Sequence, residues 1–330
     1  MNPHDPGADA ARARADATSS GDPHAIALPG GGAVAVGTAG WTDPTLIAPG
    51  VFYPGHATSA EDRLRYYAER FPLVEVDSCY YALPSRRSAE LWVERTPPDF
   101  TFNLKANALM TGQPSEVSRL PKVLRDALPE TLREKQRIYG KDLPAELYDA
   151  VWNWYRDALE PLHAAGKLGA VLLQYPRWFL PGRDSVAELL EAKRRLGDYG
   201  VAVEFRNHRW LTGRTRERTL EFLAEHDLPH VMVDGPQGME SSVPPEPAVT
   251  SKRLAVLRLH GRRADTWEGP SRSAAERYRY LYDREELAGW LPGLAEAARQ
   301  VKRTHVILNN CYANYGTTNA LEMMALLRGL

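Results

Sequence analysis

Glu204 and Arg206 stand two residues apart in "VAVEFRNHRW" (201–210), on the strand face opposite Val201, Val203 and Phe205. Side chains alternate along an extended chain, so a carboxylate and a guanidinium point together into a place where core is expected. The same signature recurs. "LVEVD" (73–77) sets Glu75 and Asp77 opposite Val74 and Val76, and "FTFNLK" (100–105) sets Asn103 and Lys105 opposite Phe102 and Leu104. "LAVLRLH" (254–260) sets Arg258 and His260 opposite Leu257 and Leu259. "HVMVD" reads as His230, Met232 and Asp234 on the inward face, while "GAVLLQY" ends near Gln174 and "THVILNN" at Asn309 and Asn310. Burying charges costs several kcal/mol per ion, and apolar filling is often as stable, so a chain that keeps this many is expected to use them.

These residue types suit proton transfer on an anion. His260 is the natural general acid or base near neutral pH, with Glu204, Glu75 and Lys105 as further catalytic candidates. Arg206 on the same face keeps Glu204 ionised, which favours a positioning or basic role for it. The planar forks of Arg206 and Arg258 fit phosphate or carboxylate. Asp234 and Asn310 complete the polar lining, and Trp41 and Tyr81 offer rings for stacking. Thr317 or Thr318 reads as the cap of the last helix, whose N-terminus would then favour a phosphate. Glu75, Glu204, Asp234 and His260 also resemble a mixed ligand set for a divalent metal. The neighbouring arginines and lysine compete for the same carboxylates, so chemistry without metal or cofactor is expected and a divalent metal is the minor alternative.

Such residues need a frame. Eight β-type runs begin near residues 33, 73, 100, 169, 201, 230, 254 and 304, and amphipathic helical patterns alternate with most of them. That rhythm predicts an α/β fold, a single (β/α)8 TIM barrel. The charged positions fall at the C-terminal halves of the strands, where barrels place their sites. Residues 106–150 read as a helical insertion after the third strand. Residues 235–251 are Pro-rich and too short for a full helix. Residues 1–32, rich in Ala, Asp, Gly and Pro, read as a disordered tail before a domain over 33–330.

Bulk properties restrict the partners. The 330 residues carry a formal net charge of -1, so wholesale attraction to nucleic acid or acidic membranes is not indicated. Cys79 and Cys311 form no Cys-x-x-Cys pair. No apolar run approaches the ~20 residues of a membrane span, and no secretory h-region opens the chain; a cytoplasmic protein is expected.

The ordered blocks "GTAGWTDP", "YYAERFPLVEVDSCYYALP", "TPPDFTFNLKA", "LGAVLLQYP", "VAVEFRNHRW", "VLRLHGR", "RYLYDREELAGW" and "ILNNCYANYGTTNA" resemble the DUF72 (YecE-like) family over residues 33–330. The resemblance implies a TIM barrel and brings no assigned reaction. It places Trp41, Glu75, Tyr80, Tyr81, Lys105, Glu204, Arg206, Arg258, His260, Gly261 and Asn310 in a polar mouth. The segment "NALMTGQP" departs from the pattern, because no histidine follows Lys105 where many relatives carry a Thr-His pair.

The leading expectation is a metal-independent acid–base enzyme acting on a small phosphorylated or carboxylated metabolite. Nucleic-acid binding or phosphodiester cleavage at an endonuclease IV-like site is the second reading, and a non-catalytic ligand-binding barrel the third.

Overall fold

Alternation of strand and helix closes into the expected barrel. The structure, a computed structural model, describes residues 6–18, 22–269 and 273–330. Eight parallel strands form it: β1 (Ala33–Ala39), β2 (Leu73–Val76), β3 (Thr101–Lys105), β4 (Leu168–Gln174), β5 (Val201–Glu204), β6 (Val231–Asp234), β7 (Leu254–Leu259) and β8 (Arg303–Leu308). They pair in the order β5-β4-β3-β2-β1-β8-β7-β6. The single bridge between Val203 and His230 brings β5 and β6 together and closes the ring.

The helices follow from capped amphipathic segments. α1 (Pro6–Ala17) precedes the barrel, followed by α2 (Ala60–Ala68), α3 (Arg86–Glu94), α4 (Ala145–Ala164), α5 (Arg183–Leu196), α6 (Gly213–Glu225), α7 (Leu291–Gln300) and α8 (Tyr315–Arg328). Ser59 and Asp62 form a reciprocal capping box at the start of α2, and the Ser85 side chain caps α3. β6 passes to β7 through the Pro-rich loop without a helix. The run that begins "REELAGW" breaks at Gly289, and Pro292 opens α7. The insertion between β3 and α4 holds a short antiparallel ladder, Ser115–Glu116 against Arg137–Ile138, and between its strands the short helices Lys122–Asp126 and Glu130–Arg133.

Inside the barrel, Ala35 and Ala39 of β1, Leu73 of β2 and Ile307 of β8 form their own small apolar cluster. β1 contributes only small inward residues. Gly37 lies so close to β2 that a Cβ there would strike the Leu73 carbonyl. This narrow floor leaves room above it for long polar side chains.

Two expectations are corrected. Residues 6–17 of the expected disordered tail form α1, which lies on α8. Arg14 donates to both oxygens of Glu322 at 2.8 and 2.7 Å and to the Tyr282 carbonyl at 2.6 Å. Ala8 and Ala11 are buried, and Ile26 and Ala27 pair antiparallel with Val34 and Ala33 of β1. Tail residues 1–5 and 19–21 lie outside the described residues. The second correction is the register of β6. Val233 pairs with inward Arg258, and Asp234 pairs with outward Leu259. Val231 and Val233 therefore face the barrel interior, and His230, Met232 and Asp234 face away from it. An apolar residue occupies both faces of this strand, so alternation alone did not choose between them.

Candidate functional site

Five strand ends bring their inward residues to one point. Arg258, from β7, is fully buried and reaches over the small residues of β1. Its Nη1 donates to Glu204 Oε2 on β5, and its Nη2 donates to Glu75 Oε1 on β2. Nη1 also lies 3.3 Å from Gln174 Oε1 on β4. The second oxygen of Glu204 faces the other side, at ion-pair distance from Arg206 Nε (2.6 Å) and 3.3 Å from His260 Nε2, without hydrogen-bond geometry to either. Asp77, one residue past β2, stands 3.7 Å from Arg258 and 3.5 Å from Lys105. Lys105 in turn lies over the Tyr80 ring at 4.7 Å. Three carboxylates thus face two arginines and a lysine.

Burial and neighbours push these groups apart in acidity. Burial raises Glu75 to about 7, and the Asp77 charge adds to the rise against the pull of Arg258 and Lys105. For Asp77, burial also disfavours ionisation, but Lys105 and Arg258 outweigh it and hold the group below the usual carboxylate range. Glu204 follows the same pattern: burial opposes its charge, yet Arg258, Arg206 and His260 hold it well below that range. His260 falls to about 3, first through burial and then through the Arg206 charge. It is therefore a neutral imidazole at neutral pH. Asn309 Nδ2 donates to its Nδ1 at 2.6 Å, which leaves the proton on Nε2, facing Glu204.

A cavity of about 330 Å³ opens beside this centre. Arg206 links the two. Its Nη2 lies 3.4 Å from both Gln174 Oε1 and the Tyr278 hydroxyl, and its guanidinium sits 4.8 Å from the Trp267 ring centre. Arg177 and Arg277 line the same cavity, and Glu268, the one carboxylate there among the described residues, already accepts from Ser241 N and Oγ at 2.7 Å each. Among the described residues, Glu75 Oε2, Arg258 Nε and Asn309 Oδ1 inside the barrel and Arg277 Nε at the cavity are among the buried polar atoms without a hydrogen-bond partner. Such atoms cost on the order of 1–3 kcal/mol each when unmet.

Of the residues singled out in the sequence, Glu75, Lys105, Glu204, Arg206, Arg258 and His260 do meet here. Asp234 does not. It accepts from Arg262 at 2.9 and 2.7 Å, from the Tyr282 hydroxyl at 2.8 Å and from Trp290 Nε1 at 2.8 Å, tying the loop after β7 to α7. It cannot join Glu75, Glu204 and His260 in the mixed metal-ligand set considered for them. Among the described residues no group of three or more His, Cys, Asp and Glu is arranged to hold a metal ion. Asn310 also points out of the barrel, donating to the Tyr280 carbonyl at 2.9 Å and to Asn319 Oδ1 at 2.8 Å; Asn309 takes the inward place. Trp41 packs edge-on against Trp92 of α3, 6.0 Å between centroids.

Tyr81, half exposed, stands edge-on to Tyr80 at 4.9 Å and lines a separate cavity of about 190 Å³. Thr318 lies inside α8 rather than at its cap, which is Asn314, and its hydroxyl donates to Ala11 of α1 at 3.0 Å. α1 lies against this helix start, and a cavity of about 440 Å³ lined by Arg12, Arg70, Asn314, Thr317 and Thr318 opens beside it, away from the Arg206 cavity. Asp77 and Gln174 read in the sequence as inward or strand-end residues without an assigned role, and Trp267 as a mouth-loop aromatic; Arg177, Arg277 and Tyr278 are not singled out there. Those three sit on loops whose course no local pattern fixes.

The model of the family described as "Protein of unknown function DUF72" matches residues 35–329. The UPF0759 protein YunF of Bacillus subtilis (strain 168) is 32% identical over 295 residues, 88% of this chain and 94% of that one. A DUF72 family protein of Thermotoga maritima is 31% identical, with a TM-score of 0.69 over 89% of this chain and 98% of that structure. A DUF72 family protein of Enterococcus faecalis, 24% identical over 89% and 95% of the two chains, shares the fold with a TM-score of 0.71.

Proposed function

The chain belongs to the DUF72 family, and we propose that its barrel mouth is the site of an enzyme that binds a small phosphorylated or carboxylated metabolite and moves a proton on it. The observation that carries this reading is the double engagement of Arg206. One edge of its guanidinium sits against buried Glu204, and the other faces a cavity where it is joined by Arg177 and Arg277. An anion there would complete the arginine's fork beside two further guanidinium groups.

The proton carrier in this reading is Glu75 rather than His260. A neutral imidazole with a pKa of about 3 is a poor acid–base group at neutral pH and serves to orient Glu204. Glu75 at about 7 changes charge where a general acid or base works best. It is buried, and Asp77, two residues further on, has a side chain 28% exposed. The pair thus keeps one carboxyl able to hold a proton near neutral pH and the other ionised, the division of acid and anion roles that separated pKa values allow.

Nucleic-acid recognition has less support at this mouth. Arg258, Arg262 and Arg263 are each paired with carboxylates, which leaves them little charge for a phosphate backbone.

The test is ligand-induced thermal stabilisation by phosphate, sugar phosphates, sugar acids, nucleotides and short DNA, with and without EDTA. A ligand at 100 times its dissociation constant adds about 2.7 kcal/mol, a shift of about 5 °C. The expected result is a shift with an anionic metabolite that EDTA leaves intact and Arg206→Met abolishes. With the ligand so found, turnover should follow an apparent pKa near 7 that Glu75→Gln removes. A shift only with DNA at low salt, or only with added metal, overturns the reading.

A further inference from the structure

A second, larger cavity of about 840 Å³ lies against the Arg206 pocket, between the insertion and the loop after β4. The two cavities share Pro176 and Trp178. Trp178 is the unusual residue. It is 57% exposed, the second most open of the exposed large apolar side chains described. The next residue shows why it cannot fold inward. Phe179 stacks on Tyr175 at 4.0 Å and on Trp210 at 5.5 Å, and Trp210 Nε1 donates to the Phe179 carbonyl at 2.7 Å. This buried stack fixes the loop and presents the Trp178 indole to solvent at the junction of the cavities.

The far wall of the larger cavity is also apolar and open. It includes Tyr139, 38% exposed, and Tyr148 of α4, both lining it from the insertion side. Its polar groups are Thr111, Lys141, Ser185, Glu191 and Glu188, and burial raises the Glu188 carboxyl above its usual range. A rigid exposed indole with a few polar groups around it suits the flat face of a ring rather than another anion.

We propose that the ligand of the Arg206 pocket carries a ring that lies on Trp178 and extends into the larger cavity. The substrate class is then a ring-bearing phosphate, in which a nucleobase or a pyranose supplies the stacking face, rather than a free small acid. This inference rests on the anion-binding reading of Arg206 given above, and narrows it.

The experiment is calorimetric titration of the full chain with inorganic phosphate, adenosine monophosphate and a disaccharide phosphate. Each titration is repeated on Trp178→Ala and Arg206→Met. Trp178 is exposed, so its alanine variant should fold, which circular dichroism and an unchanged phosphate affinity would check. The expected result is that one ring-bearing ligand binds at least tenfold tighter than phosphate. Trp178→Ala should erase that advantage without weakening phosphate, and Arg206→Met should abolish both. Which ligand gains identifies base or sugar as the ring. Ring-bearing ligands that bind no tighter than phosphate, or an advantage that survives Trp178→Ala, overturn the inference while leaving the anion pocket standing. If phosphate and both ring-bearing ligands fail to bind the natural chain, the anion pocket and the inference built on it fall together.

Discussion

Glu75 and Asp77 leave the same strand end two residues apart, share Arg258 as a neighbour, and are driven in opposite directions in acidity. Glu75 is sealed beneath the mouth, where burial dominates. Asp77 lies nearer Lys105, whose charge offsets much of the same penalty. One side chain is set up to hold a proton at neutral pH and the other to remain an anion.

Glu75→Gln should reveal this in stability. A carboxyl raised from 4.5 to about 7 on folding contributes stability in full below the unfolded value, and that contribution is lost as pH rises through 7. Glutamine mimics the protonated form at every pH. The variant should lie within about 1 kcal/mol of the natural chain at pH 5 and exceed it by about 2 kcal/mol at pH 8. Urea unfolding at the two pH values measures the difference. A variant equally destabilised at both would mean that Glu75 is ionised throughout.

Arg258 and Arg206 should differ sharply. Among the described residues, Arg258 is the sole cation bonded to Glu75 and one of two on Glu204, all three fully buried. Arg258→Met leaves buried carboxylates uncompensated and should cost about 3–5 kcal/mol. Arg206→Met leaves Glu204 still bonded to Arg258 and should cost about 1–2 kcal/mol. Chemical denaturation orders them, and equal costs would show that Arg258 is not the keystone of the network.

Acid should unfold the protein early. Burial lowers His260 and His305 to about 3 and His230 to about 4, from an ordinary value of 6.5. A histidine kept neutral by folding contributes stability above pH 6.5, and it is lost as pH falls toward the folded value. Glu75 opposes this by one proton between pH 7 and 4.5. The net slope near pH 5.5 is on the order of 2–3 kcal/mol per pH unit. Unfolding free energies from pH 7 to 5 test it, and a flat profile would contradict neutral burial of the three rings.

The N-terminal helix lies outside residues 35–329, the region matched by the family model, yet it is tied to α8. Arg14→Met removes three hydrogen bonds at a partly buried contact and should lower stability by about 1–2 kcal/mol. A melting temperature unchanged by that substitution would show that α1 adds nothing to the fold.

The sequence alone determined the barrel and most of its polar mouth. β2, β3, β5 and β7 alternate apolar and charged residues, and only one assignment of faces keeps the charges off the helix layer. That rule placed Glu75, Lys105, Glu204, Arg206, Arg258 and His260 correctly. It failed for β6, where valine and methionine suit either face and pairing with β7 decided the register; Asp234 moved out of the site with it. Thr318 was misread because α8 begins earlier than its local cap signals suggest and because α1, distant in sequence, lies over it. The acidities also belong to the assembled structure. His260 is neutral and Glu75 titrates near 7 because strands far apart in the chain bring guanidinium groups and burial to the same point. Such long-range electrostatic effects leave no trace in local sequence.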